Sequence, residues 1–509
     1  MKARTRLEGC GIGIALTLSY IWQPLAPAHI QGLYLRVLPV SSVAGGAAFD
    51  LIAASLASCA VLLLLDRFDK QGATLVWALF TAVIPAVVIH GALRLAEVNF
   101  PVLSTAAIAL VLLLPVLALW AFWRKGYARL VAGFRLGYVC VGVCIVWVLP
   151  ELGYSAIHQE PRDLMQMERK ADPPRNSAGQ TRIVWLLLDE LSYDQTFDHR
   201  QPGLKLDNFD RLRSVSTSFA NVHPAGYLTD EIVPALLSGQ PVVDIESSAD
   251  GDLLVKRSRG GDWEHLYPHA TVFGDAERLG WSTGIVGWFN PYCRLFGSMV
   301  DRCVWEPESR MFPGHMSAAN TAWQNALAPL GAKFHVDADS RIAAEHAKAY
   351  TLLTERALEL VRDGQERFVF VHLPVPHPPG IYDRTSGRIR LGGSYLDNLV
   401  LADKTLGDVM TAMNESPAAK STILIVSSDH SMRVPKWRGG GSWTAEDERV
   451  FGKRFDTRPV LMVHFANEQG CKSFDGPFAD IRMHDMVEEM LSGGMTAEQD
   501  LENWVTAGQ

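Results

Sequence analysis

Ile183-Val184-Trp185-Leu186-Leu187-Leu188-Asp189-Glu190 and Ile423-Leu424-Ile425-Val426-Ser427-Ser428-Asp429-His430 decide the fold of this chain. Each is a short unbroken apolar run that stops on charged or imidazole side chains. Such runs are expected of strands in a parallel sheet, which are buried on both faces. Phe368–Leu373 and Val460–Phe465 read the same way, and Ala343–Val361 between them carries Leu352, Leu353, Leu358 and Val361 at helical spacing. Strands alternating with helices predict an α/β domain with a mostly parallel, mixed sheet between helices. In such sheets the ligand site lies beyond the carboxyl ends of the strands.

Those strand ends carry Asp189-Glu190 and Asp429-His430. Oxygen and nitrogen donors at neighbouring strand ends suit a divalent cation of the Zn or Mn type. An Asp after a strand is also a common helix cap, so each pair alone is a weak signal and the two together a stronger one. Asp189 and Glu190 are not ranked by spacing: either can be the ligand while the other orients its neighbours.

Ile183–Asp194 resembles the opening strand of the alkaline phosphatase superfamily, particularly its sulfatase-like branch, and Ile423–His430 is similar to that family's second metal strand. That strand usually ends Asp-His-Gly; here Ser431 replaces the Gly. Between them, Thr229-Asp230-Glu231-Ile232-Val233-Pro234-Ala235-Leu236-Leu237-Ser238-Gly239-Gln240 resembles the nucleophile segment, with the family's ten residues from nucleophile to Gly239. Phosphoethanolamine transferases carry a Thr there and a Pro five residues on, as Thr229 and Pro234 do. The competing reading is that Thr229 only caps a helix beginning at Asp230. The resemblance implies metal ligation by Asp189, Glu190, Thr229, Asp429 and His430, with Thr229 as nucleophile. Sulfatases convert a Cys or Ser to formylglycine. Thr cannot supply that aldehyde, so the expected chemistry moves from sulfate to phosphoryl transfer.

Phe368-Val369-Phe370-Val371-His372-Leu373-Pro374-Val375-Pro376-His377-Pro378 resembles the family strand that delivers a substrate-facing His. His377, between prolines beyond the strand end, is the candidate for stabilising the phosphate or protonating the leaving group. His372 alternates with apolar residues and reads either as a core histidine or as a second substrate contact. Tyr395-Leu396-Asp397-Asn398, with Asp403, is similar to a family helix and reads as architecture. Phosphoethanolamine transferases place a further His shortly after Asp-His-Gly. Residues 431–463 contain none, and His464 lies within a strand. The four-group set of lipoteichoic acid synthases is the closer resemblance, implying one tightly held metal.

The chain before this domain is of another kind. Apolar runs near 9–25, 43–65, 73–93, 102–123 and 132–150 approach the ~20 residues that cross a bilayer. The first could be a cleavable signal peptide, but the spans behind it favour a retained helix. Lys2, Arg4, Arg6, Arg67, Lys70, Arg124, Lys125 and Arg129 fall in alternate loops, against only Arg36 and Arg94 in the others. That bias places residues after Pro150 outside the cytoplasm. The expected organisation is an anchor over 1–150, a linker or juxtamembrane segment over 151–180 and an extracytoplasmic catalytic domain over 181–509, in the inner (plasma) membrane facing the periplasm or cell envelope. Cys293 and Cys303 are then either a disulfide, which an oxidising compartment permits, or two free thiols.

A net charge of -8 without a long basic tract provides no electrostatic footprint for nucleic acid. The sequence predicts a metal-dependent phosphotransferase that takes a headgroup from a membrane lipid, such as phosphoethanolamine or phosphoglycerol, and passes it to an envelope glycan or lipid. The alternatives are a phosphodiesterase or phosphatase, less readily a sulfatase, or an inactive sensor or scaffold.

Overall fold

The computed structural model of the chain describes residues 3–25, 40–65, 70–95, 105–157, 166–168, 181–247, 252–307, 338–452, 456–466 and 470–508. The chain divides into two compact units, one built of the N-terminal helices and one containing the α/β fold.

The N-terminal unit contains helices Ala3–Leu25, Val40–Leu65, Lys70–Leu95, Thr105–Phe122, Arg124–Val143 and Ile145–Ile157. Among the described residues, Ala44–Leu65 alone is long and apolar enough to cross a membrane by itself. Arg124–Val143 and Ile145–Ile157 are bent by 41° and make a second such segment if taken as one span. The apolar stretches Val76–Ile89 and Ile108–Phe122 are shorter. The expected single span over 132–150 is thus broken near Cys144, and five separate spans are not shown. Helices Ala3–Leu25 and Arg124–Val143 approach closely at Gly11, where a Cβ would lie 1.8 Å from the Tyr138 carbonyl oxygen. Small residues let helix backbones meet in this way. The same pair buries Glu8, whose carboxylate accepts from Arg135 Nε at 2.9 Å and Nη2 at 3.1 Å.

The α/β unit is organised on nine strands: β1 (Gln166–Glu168), β2 (Arg182–Leu188), β3 (Thr217–Phe219), β4 (Thr283–Trp288), β5 (Arg302–Glu306), β6 (Phe368–Leu373), β7 (Thr422–Ser427), β8 (Leu461–His464) and β9 (Lys472–Phe474). They lie in the order β1-β5-β4-β6-β2-β7-β8-β3-β9. The central five, β5-β4-β6-β2-β7, are parallel. Strand β2 sits between β6 and β7 with every residue buried, so both faces need apolar side chains. Its odd and even residues feed two separate cores.

One expectation is corrected here. The strand read over Val460–Phe465 is present as β8 but runs antiparallel to β7. Into the segment 151–180, read as a linker or juxtamembrane stretch, runs helix Ile145–Ile157, and β1 within it pairs antiparallel with β5 at the sheet edge. The rest of that segment lies outside the described residues.

Arg182 opens β2 and is almost fully buried. Its guanidinium donates to the carbonyls of Leu360, Val361 and Glu366 at 3.2, 2.8 and 2.9 Å. The first two are among the last four carbonyls of helix Ala338–Asp363, which have no partners within the helix. That contact ties the central strand to the long helix covering one face.

Candidate active site

The carboxyl ends of β2, β6 and β7 converge as the α/β pattern requires. Asp189 leaves β2, His372 is the penultimate residue of β6, and Asp429 follows β7. One ligand atom from each lies within 4.8 Å of the others, and all three residues are buried. Both Asp189 carboxylate oxygens and His372 Nε2 have no hydrogen-bond partner. Asp429 Oδ2 stands 3.0 Å from His430 Nε2 with no donor aligned on it. Buried polar atoms are normally paired. Unpaired atoms on three residues this close together fit a divalent cation with oxygen and nitrogen ligands.

The electrostatics agree. Burial and the neighbouring Asp429 charge push the Asp189 carboxyl well above the usual carboxylate range. Burial also opposes ionisation of Asp429, but His430, His372 and Arg433 outweigh it and hold Asp429 well below that range. Two carboxylates this close cannot both be charged cheaply without positive charge between them. His430 is held above the usual imidazole range: burial acts against its charged form, and the Asp429 and Asp189 carboxylates more than compensate.

Thr229 is the first residue of helix Thr229–Ser238 and is 4% exposed. The reading in which it caps a helix starting at Asp230 is not what the structure places there. The N-cap is Leu228, and Thr229 Oγ1 lies 3.2 Å from His430 Nε2. His430 Nδ1 faces the Ser431 carbonyl at 2.9 Å. A proton on Nδ1 has its acceptor there, and Nε2 stands between the Asp429 carboxylate and the Thr229 hydroxyl. The helix N-terminus adds partial positive charge at the same hydroxyl.

Glu190 does not join this cluster. It has a positive φ of 64°, and its carboxylate accepts from Arg433 Nε at 2.8 Å and Trp437 Nε1 at 2.9 Å. The metal role expected of Glu190 is therefore corrected: its oxygens are taken by these donors, and Asp189 is the residue that faces the cluster. His372, read as core histidine or substrate contact, stands instead among the ligand candidates. Its buried ring is pushed down to about 4 by desolvation, and its Nδ1 is 2.8 Å from the Tyr292 hydroxyl.

His377 lies beyond β6 and lines the same cavity as Thr229. Its ring packs 4.9 Å from that of Trp288 and 5.0 Å from that of Trp437. Burial, and then the Lys436 and Arg433 charges, keep it well below the usual imidazole range. Asn398 holds the loop carrying it, donating to the His377 carbonyl at 3.0 Å and accepting from Ile381 N–H at 2.8 Å. Tyr395 donates to the Glu190 carbonyl at 2.7 Å, and Asp403 accepts from the N–H groups of Asn208 and Phe209 at the start of helix Asp207–Arg213. The Tyr395–Glu415 helix thus serves as architecture. His464 Nδ1 faces the Val215 carbonyl at 2.7 Å, away from the cluster. A cavity of about 200 Å³ opens on Thr229, walled by Trp288, Phe289, His377, Arg433 and Lys436.

The sulfatase family model matches residues 181–450, just over half of the chain. The chain belongs to the sulfatase family. Three solved structures are similar to this sulfatase-family chain. A phosphonate monoester hydrolase from Agrobacterium radiobacter is 13% identical, with a TM-score of 0.39, over 62% of this chain and 74% of that one. An alkaline phosphatase superfamily protein from Vibrio parahaemolyticus is 17% identical, TM-score 0.39, over 64% and 72%. An inactive variant of murine ectonucleotide pyrophosphatase/phosphodiesterase 5, in complex with AMP, is 8% identical, TM-score 0.36, over 62% and 95%. No curated protein matches the chain.

Proposed function

We propose that this chain is a membrane-held, metal-dependent phosphotransferase using Thr229 as nucleophile. The observation that carries the reading is Thr229 Oγ1, at a helix N-terminus, 3.2 Å from His430 Nε2 and beside the buried Asp189–His372–Asp429 cluster. Asp189, Asp429 and His372 would hold a Zn or Mn ion, with His430 and Thr229 at its edge. Such an ion supplies positive charge that acidifies a hydroxyl and offsets charge on the transferring phosphate.

The chain's own groups do the rest. His430 orients the Thr229 hydroxyl, whose oxygen attacks phosphorus as the bond to the lipid alcohol breaks; the hydroxyl proton leaves with that alcohol. The headgroup phosphate is then a diester on Thr229, and an acceptor hydroxyl attacks its phosphorus, breaking the bond to Oγ1 and returning a proton to Thr229. Lys436 brings positive charge to the cavity, and His377 presents an uncharged ring to the leaving oxygen. The cavity is large enough for a headgroup, while acyl chains stay outside it.

The N-terminal helices serve as a multi-pass anchor, which keeps the site near phospholipid donors and envelope glycan or lipid acceptors. Cys293 and Cys303 form a disulfide, which supports an oxidising, extracytoplasmic location. Incubation with phospholipid should load Thr229 with a headgroup-phosphate adduct visible by intact mass and absent in Thr229→Ala. Ester cleavage with no transfer to any envelope acceptor would replace transferase with phosphodiesterase, in which water is the final acceptor.

A further inference from the structure

We propose that Tyr292 is a positioning residue for the metal centre. Its phenol oxygen accepts the Nδ1–H of His372 and so turns the His372 Nε2 lone pair onto the cation shared with Asp189 and Asp429. This rests on the metal reading of that cluster and is independent of which phosphoester is transferred.

The geometry leaves little choice of tautomer. A neutral imidazole carries one N–H, and the hydrogen bond at one nitrogen decides what the other can do. On Nδ1 the proton meets the Tyr292 oxygen at 2.8 Å. On Nε2 it has no acceptor within hydrogen-bond distance, since Asp189 Oδ2 is 3.7 Å away. With the proton on Nδ1, the bare Nε2 faces two carboxyl groups, an arrangement that a cation among them would stabilise. Metal-ligating histidines are generally fixed by a partner at the second nitrogen.

Tyr292 is itself held from several sides. Its ring lies against β4 at Gly287, where a Cβ would come within 2.1 Å of Tyr292 Cδ2. Any larger residue there would push the ring aside. The ring packs 5.5 Å from that of Phe370 on β6. The next residue, Cys293, is bonded to Cys303 on β5. The short helix Tyr292–Phe296 is therefore pinned to the sheet at its first turn, and the hydroxyl cannot drift from His372. The plain alternative is a core tyrosine whose hydroxyl merely found a partner.

Metal affinity separates the two. The full chain, purified in detergent and stripped by chelator, is titrated with Mn²⁺ and with Zn²⁺ against a chromophoric competitor. Tyr292→Phe keeps the ring and should weaken binding by about 10–100-fold, and His372→Asn by at least as much. Co²⁺ bound to Tyr292→Phe should also show a shifted visible spectrum, which loss of a merely structural hydroxyl would not produce. Wild-type affinity and spectrum in Tyr292→Phe would overturn the proposal, as would a wild-type protein that binds no divalent cation. If Tyr292→Phe does not fold, ring ¹⁵N shifts of His372 in the wild type decide: a proton on Nδ1 supports the assignment and a proton on Nε2 sinks it. Lost affinity without any Thr229 adduct would leave this inference standing and remove the transferase reading.

Discussion

Oγ1 of Thr229 and Nε2 of His430 meet at 3.2 Å although 201 residues separate them in the chain. The meeting depends on a helix that starts at Thr229 and on a strand, β7, that delivers Asp429-His430 beside β2. Hydroxyl, imidazole and acidic cluster are thus set by rigid elements rather than by loops alone.

Thr229→Ala removes the attacking oxygen and should lower turnover by roughly 10³-fold or more. Thr229→Ser keeps a hydroxyl at the helix N-terminus and should retain measurable activity. Headgroup release from a defined phospholipid checks both, and an Ala variant as active as wild type would end the nucleophile assignment.

Arg433 and Glu190 form a buried pair at 2.8 Å. Arg433→Ala strands a carboxylate that is 0% exposed, leaving only the Trp437 indole beside it, and should cost about 3–5 kcal/mol of stability. Replacing both partners with apolar residues should recover much of the loss. Denaturant unfolding of single and double variants measures it.

The Cys293–Cys303 bond closes a loop with a sequence separation of 10. Chain-entropy reasoning assigns such a loop about 3 kcal/mol. Cys303→Ser should therefore lower the melting temperature clearly, and a reductant should do so for wild type but not for the variant.

Asp230 lines the cavity, and burial followed by the Glu231 charge lifts its carboxyl to about 6. The folded chain thus holds a proton more tightly than the unfolded chain, whose Asp titrates near 3.8. The resulting stabilisation is complete below 3.8 and is lost as pH rises through 6. Asp230→Asn, neutral throughout, should match wild type at about pH 3 and exceed it by up to about 3 kcal/mol at pH 8. Melting in chelator at both pH values tests this, and equal curves at pH 8 would contradict it.

Much of this arrangement was legible in the sequence, and the exceptions have physical causes. Continuous apolar runs announced β2, β6 and β7 because strands buried on both faces admit little else. The run at β8 told burial but not direction, and it lies antiparallel. β4 escaped notice because Gly284 and Gly287 interrupt its apolar pattern, one of them to admit the Tyr292 ring. Asp189 and Glu190 were inseparable by spacing, since the left-handed turn at Glu190 that sends its carboxylate to Arg433 has no sequence signature in a non-glycine residue. His372 looked like a core residue because it is one by burial. Only the unpaired Nε2 facing Asp189 marks it as more.

Glu190 also limits how the site can be redesigned. A glycine would relieve the left-handed backbone at that position, and a stability-minded engineer would try it first. Yet the same exchange deprives Arg433, 4% exposed, of its counter-ion, and that guanidinium also walls the cavity. Local ease and the charge pattern of the reaction chamber pull in opposite directions at one residue. Improved variants of this enzyme should therefore change positions 190 and 433 together or leave both alone.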